Sequence, residues 1–203
     1  MPYTILVLVL AFTSGFVIMS VELLGGKIMA PYFGSSIYVW GSIITVFMVS
    51  LSVGYLTGGR LSVRNPHLTK YGLFFIAGSI SLIPLVAAGD AMMELVFMNL
   101  EDPRYGSLVA AGLLFFVPTA VLGMIAPYSV RLLVDNRETS GQVAGSLYFI
   151  STLGSALGTL ATSFYFVLWF DLNVIIMSLQ AALATGGVVA IVAGRMELGG
   201  ARR

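Results

Sequence analysis

Six stretches of roughly twenty mostly apolar residues, at about 3–24, 37–58, 71–89, 107–130, 143–170 and 174–193, leave little sequence between them. A hydrocarbon core of about 30 Å takes about 20 helical residues to cross, so each stretch predicts a membrane span. The runs are too long and alternate too weakly for barrel strands, and backbone polar groups in lipid must be satisfied internally, which leaves helices. Charged residues make up only 9% of the chain, against about 25% in an ordinary soluble domain. The expected fold is therefore all-α: a single polytopic domain, 1–203, of six transmembrane helices with no soluble domain of useful size.

Basic side chains set the expected orientation. Arg60, Arg64 and Lys70 lie between the second and third stretches, Arg131 and Arg137 between the fourth and fifth, and Arg195, Arg202 and Arg203 after the sixth. Only Lys27 and Arg104 fall in the alternate loops, so eight of ten basic residues share one side, which the positive-inside rule makes cytoplasmic. Both termini then face inward, as expected of a multi-pass protein of the cell (cytoplasmic) membrane. The first stretch lacks a basic n-region, and its small-residue cleavage point after Ala30 is followed by Pro31, so it is expected to be a retained span. Asp90, Glu94, Glu101 and Asp102 fall outside, and 91–98, short and mixed in polarity, suggests an outer interfacial helix within a segment 90–104.

The same charge distribution, net +1 and without a basic stripe, leaves no footprint for nucleic acid. With no cysteine and a solitary His67, neither a metal site nor a cofactor is expected.

The sequence also carries an internal echo. Setting Ala30-Pro31-Tyr32 against Ala126-Pro127-Tyr128 and then inserting eight residues pairs Gly41-Ser42 with Gly145-Ser146, Gly54 with Gly158, and Leu56 with Leu160. Units at about 1–89 and 105–194 would each hold three helices, an odd number, so the second enters the membrane from the opposite side. Inverted three-helix repeats occur in many secondary transporters, with binding sites near the midplane between them. Small residues on the second and fifth helices, including the GxxxG of Gly154 and Gly158, are expected to let helix backbones approach closely. Pro31 and Pro127 read as helix exits, whereas Pro84 and Pro118 should kink the third and fourth helices or free a carbonyl, with Ser81 and Thr119 at hand to meet it.

Glu22 is the one acidic residue inside an expected span, and a carboxylate at that depth usually faces a bundle interior. If the first helix continues to Ala30, Glu22 is submerged by two turns; if the helix ends at Leu24, it reaches the headgroups. Tyr32, Phe33, Tyr38 and Trp40 crowd the junction of the first two helices, either as an interfacial aromatic belt or, with Glu22, as a cage for an organic cation. Thr45, Ser50, Ser52, Tyr55, Tyr148, Ser151, Thr152, Ser155 and Thr159 put many hydroxyls on the second and fifth helices, as a polar cavity between the repeats would need.

Glu22, the string Ala30-Pro31-Tyr32-Phe33-Gly34-Ser35-Ser36-Ile37-Tyr38-Val39-Trp40-Gly41-Ser42, Gly54-Tyr55-Leu56-Thr57-Gly58-Gly59-Arg60-Leu61 and Ala144-Gly145-Ser146-Leu147-Tyr148 resemble the transmembrane region of membrane-bound spermidine synthase-like proteins. The turn Gly58-Gly59-Arg60 is distantly similar to the cytoplasmic loop of major facilitator proteins. The first resemblance spans about 14–170 and implies a hydrophobic region ahead of a cytoplasmic aminopropyltransferase domain. Residues 194–203 carry neither that domain's nucleoside-binding motif nor its acidic residues, so no catalysis is expected of the residues given.

Two functions fit. One is a small-molecule binding or transport module for a polyamine or related amine, with Glu22, Tyr38, Trp40, Ser50, Tyr55, Tyr148, Ser151, Thr152 and Ser155 as substrate-binding residues, working as a homodimer because six helices are half a facilitator. The other is a membrane anchor or regulatory subunit for a separately encoded soluble synthase.

Overall fold

The computed structural model describes residues 3–200 apart from Arg64, Glu101, Asp135 and Arg137, with side chains given as far as Met196. Arg64, Glu101, Arg137, Arg202 and Arg203, used above to assign sides, lie outside the described residues. All regular structure among the described residues is helical: α1 (Thr4–Phe33), α2 (Ile37–Ser62), α3 (Leu68–Ser81), α4 (Ile83–Asn99), α5 (Pro103–Gly123), α6 (Ile125–Leu133), α7 (Ser140–Ala161), a π-helical turn (Thr162–Phe166), α8 (Val167–Trp169) and α9 (Leu172–Gly200). Joined end to end, α3 with α4, α5 with α6, and α7 through α8 bring the number of segments long and apolar enough to cross a membrane to six. The chain is a multi-pass membrane protein.

α1 runs on through Pro31 and stops where Gly34, at φ 75°, adopts a left-handed conformation that glycine takes at no steric cost. Glu22 therefore lies eleven residues, or about 16 Å, before the end of its helix. It falls within the first candidate membrane span.

Two spans are broken by proline. Pro84 offers no N–H to the carbonyl of Ile80, and the chain closes a tighter turn at Leu82, whose N–H reaches the carbonyl of Ser79 at 3.3 Å. Ser81, expected to meet the freed carbonyl, instead donates to Gly78 at 2.7 Å. The second break is at Met124, three residues ahead of Pro127, where the Met124 N–H turns to the carbonyl of Val121 at 3.2 Å. Expectation and structure differ here. Pro118 interrupts nothing, since α5 continues past it to Gly123, while Pro127 lies in the first turn of a further helix and is no exit. Residues 91–98, expected as a separate interfacial helix, are the continuation of α4.

Three helix pairs dominate the packing: α1 along α7, α2 along α5 and α6, and α3 along α9. The first two pairs are parallel. A Cβ on Gly154 would strike the backbone of Phe12 and one on Gly158 that of Phe16, while Gly54 abuts Ala120 and Gly58 abuts Met124. Small residues thus let backbones meet where lipid offers no hydrophobic drive for association. The third pair is antiparallel, with Gly72 against Gly187 and Gly78 against Leu183. Buried hydroxyls add interhelical bonds: Ser42 with Ser107 at 3.0 Å, Tyr71 with Ser129 at 2.7 Å, and Thr162 to Ser20 at 2.9 Å.

Exchanging the first three spans for the last three leaves these pairings unchanged. The register does not follow the sequence alignment as closely. Equating Gly54 with Gly158 equates Ala120 with Leu24, whereas Gly158 packs on Phe16, eight residues or about two turns away.

Candidate functional site

The pairings α1–α7 and α2–α5/α6 leave a gap where four spans face one another, and there a cavity of about 510 Å³ opens. Ser14, Gly15, Ile18 and Met19 of α1 form one wall, Leu51 and Tyr55 of α2 another, and Tyr148, Ser151, Thr152 and Ser155 of α7 a third. The fourth wall is the break in the fourth span: Leu122 and Gly123 before it, Ala126 and Pro127 after. Because Pro127 has no N–H, the carbonyl of Gly123 lacks its helical donor.

The lining is neutral and rich in hydroxyls. Ser155 donates to the carbonyl of Gly15 at 3.2 Å and so holds α7 to α1. The hydroxyl of Ser14, only 3% exposed, and those of Tyr55, Tyr148, Ser151 and Thr152 form no side-chain hydrogen bond among the described residues. Their hydroxyls remain available to whatever enters. Beside the cavity, sharing Ser14, Ala126, Tyr148 and Ser151, is a void of about 10 Å³ that reaches Ser129. That is about the volume needed by one water. Ser129 donates to the carbonyl of Ile125 at 2.8 Å and accepts from Tyr71, whose ring stacks with Tyr128. Tyr128 in turn accepts the backbone N–H of His67 at 3.2 Å.

Five of the nine residues expected from sequence meet here: Tyr55, Tyr148, Ser151, Thr152 and Ser155. The other four lie elsewhere. Ser50 is fully buried and donates to the carbonyl of Val46 at 2.6 Å. Trp40 lies on Gly26, so close that a Cβ there would come within 2.7 Å of the indole. Tyr38 is exposed, with the Arg104 guanidinium 4.8 Å above its ring. Tyr32 and Phe33 pack edge-on against Phe97 of α4, at 6.4 Å and 5.9 Å between centroids. Of the two readings of these rings, the cage is not assembled, because α4 and α5 supply them with other partners. A wide hollow of about 760 Å³ lined by Tyr32, Glu94, Phe97 and Met98 lies at this end of the bundle.

Glu22 is half-buried and forms no ion pair or hydrogen bond among the described residues, and Lys27 is exposed. It does not line the cavity. On α1, however, Ser14, Ile18 and Glu22 follow one another at intervals of four, so Glu22 continues the cavity-facing side about one turn, roughly 6 Å, beyond Ile18.

Sequence reading missed α1 as a wall. The i, i+4, i+8 spacing of Ser14, Ile18 and Glu22 was its available signal. It also missed the fourth wall, since a proline beyond a helix break and a proline at a helix exit look alike in sequence. No family model matches the chain, and no curated protein or solved structure shows significant similarity to it.

Proposed function

We propose that this chain is a small-molecule binding or transport module that takes an organic amine between its two halves. The carrying observation is the cavity walled by four spans, two from each half, and lined by unengaged hydroxyls from three of them, with a carboxylate one turn away on the same side of α1. A neutral wall of hydroxyls and a freed carbonyl suits N–H donors, and Glu22 supplies the countercharge an ammonium group needs at low dielectric. Discontinuous helices at the midplane contribute such carbonyls in transporters of known architecture. The resemblance to spermidine synthase-like membrane regions favours a polyamine among the amines.

The halves are read as inverted repeats because the three main helix pairings survive their exchange. The end bearing Arg60, Lys70 and Arg131 is taken as cytoplasmic, with both termini inside, and the cell membrane is the proposed location. No catalysis is assigned to the chain itself.

The test is uptake of labelled spermidine by proteoliposomes containing the purified protein. Saturable flux that falls at least about tenfold in Glu22→Gln, a loss of about 1.4 kcal/mol in binding, is expected. Absence of both flux and amine binding, with a soluble synthase co-purifying, would replace this reading with that of a membrane anchor.

A further inference from the structure

The cavity is walled unevenly. Its residues on α1 and on the fourth span are buried or half-buried, whereas Tyr55 of α2 and Tyr148 and Thr152 of α7 are exposed. α2 and α7 are not packed along one another, so the opening is a slot between them that faces sideways. Toward the Arg60 end, α1, α6 and α7 close on one another at the buried residues Ala11, Ile125, Ser129 and Leu147, leaving only the void for one water. The level of the slot follows from the helix ends. Tyr55 stands seven residues, about 10 Å, from the Ser62 end of α2, and Tyr148 eight residues, about 12 Å, from the Ser140 end of α7. Spans of 26 and 30 residues, about 39 Å and 45 Å long, centred on a core of about 30 Å project about 5–8 Å at each end. Both tyrosines then fall about 5 Å inside the hydrocarbon edge, close to where amphipathic rings collect. The lips change character within one residue: Leu56 and Phe149, each next to a mouth tyrosine, are exposed, as is Met48, seven residues before Tyr55 on the same row of α2. Acyl chains thus meet apolar lips in front of a hydroxyl-lined interior. The fifth span, Ser140–Trp169, is also the least apolar of the six and yet the least covered, with 17% of its most apolar stretch buried against 33% to 56% in the others. Polar groups facing lipid are costly; they have a use where polar heads pass them.

We infer that the cavity is filled from the bilayer, by an amphiphilic amine whose ammonium head follows the hydroxyls of α7 up to Glu22 while an alkyl chain stays outside, between α2 and α7, among lipid. This rests on the amine-binding reading above and narrows it: the polyamine or other amine head carries a chain. From Ser14 to Glu22 is eight residues, about 12 Å, so an extended head reaches from the level of the mouth to the carboxylate. The chain never leaves hydrocarbon, so no apolar surface has to be wetted on the way in. The head, which acyl chains alone would strip of partners, meets hydroxyls first and then a countercharge.

Two measurements on the protein in lipid nanodiscs test this. The sequence has no cysteine, so a nitroxide attached to Thr152→Cys reports the mouth alone; it should collide more often with oxygen, which concentrates among acyl chains, than with a water-soluble nickel chelate. Binding of spermidine and of N-dodecylspermidine is then compared at equal free aqueous concentration, with empty nanodiscs subtracted. The chain-bearing amine should bind at least about tenfold tighter, Glu22→Gln should weaken it, and a photoreactive group at the end of its chain should label α2 and α7. Nickel collisions as frequent as those with oxygen, equal affinities for the two amines, or labelling confined to α1 and the fourth span would overturn entry from the bilayer and leave amine binding standing. Binding of neither amine, with oxygen still favoured at Thr152→Cys, would overturn the amine reading and this narrowing together.

Discussion

Replacing Gly72 with alanine tests whether close backbone contact holds this bundle together. The added Cβ would sit 2.5 Å from the carbonyl oxygen of Gly187, 2.8 Å from Cγ1 of Ile191 and 3.0 Å from its backbone nitrogen. Two of these three neighbours are backbone atoms and cannot rotate away, so α3 and α9 must part by about 1 Å to reach ordinary contact. Overpacking of this kind costs about 1–3 kcal/mol, and a gap of that size forfeits a quarter to a half of each dispersion contact along the seam. Alanine returns about 0.5–1 kcal/mol through its better helix propensity. The net is a destabilisation of about 1–2 kcal/mol, a factor of about 5–30 in the folded to unfolded ratio. Gly145→Ala, facing open space, receives the propensity gain without the clash and should be neutral or slightly stabilised. Equilibrium unfolding in mixed micelles, followed by circular dichroism, measures both. A second substitution, Gly187→Ala, should cost less in the Gly72→Ala background than alone, because the helices have already separated. Equal stabilities for Gly72→Ala and Gly145→Ala would refute the reasoning.

Two further outcomes follow from individual bonds. Tyr71→Phe removes the bond to Ser129 but leaves the serine donating to Ile125, so it should cost only about 0.6 kcal/mol; Ser129→Ala strands the buried tyrosine hydroxyl and should cost about 1–3 kcal/mol, and a reversed order in thermal unfolding would contradict the assignment of donor and acceptor. Pro127→Ala restores an N–H opposite the carbonyl of Gly123, so exchange of the amides at 124–128 should slow about tenfold or more; unchanged exchange would mean that the break at Met124 has another cause.

Much of this architecture was legible because lipid enforces it. A polar backbone has no solvent in the hydrocarbon core, so run length alone located six spans. The limits lay in the ends: α1 reaches Phe33 and not Leu24, because Gly25, Gly26 and Pro31 discourage a helix by propensity yet are held in one by Phe115 and Trp40 packed on the glycines. Reading the hydroxyls of α7 as cavity lining holds for Tyr148, Ser151, Thr152 and Ser155, whereas Thr159 bonds back to Ser155 of its own helix. Ser50 carries the same chemistry on α2 but bonds to Val46 of its own helix, a choice that depends on rotation of the helix and not on composition. The cage reading of the aromatic residues near the first loop fails for a related reason. Their partners, Phe97 and Arg104, lie more than sixty residues away in the chain.

The nine residues of α6 span about 13 Å, too few to persist as a helix without support. What steadies them is sideways attachment, through Ser129 to Tyr71 and through Tyr128 to His67. The same short rod presents Ala126 and Pro127 to the cavity. A molecule arriving there would press on the element least able to resist by itself, and the push would be felt first at the loop holding His67.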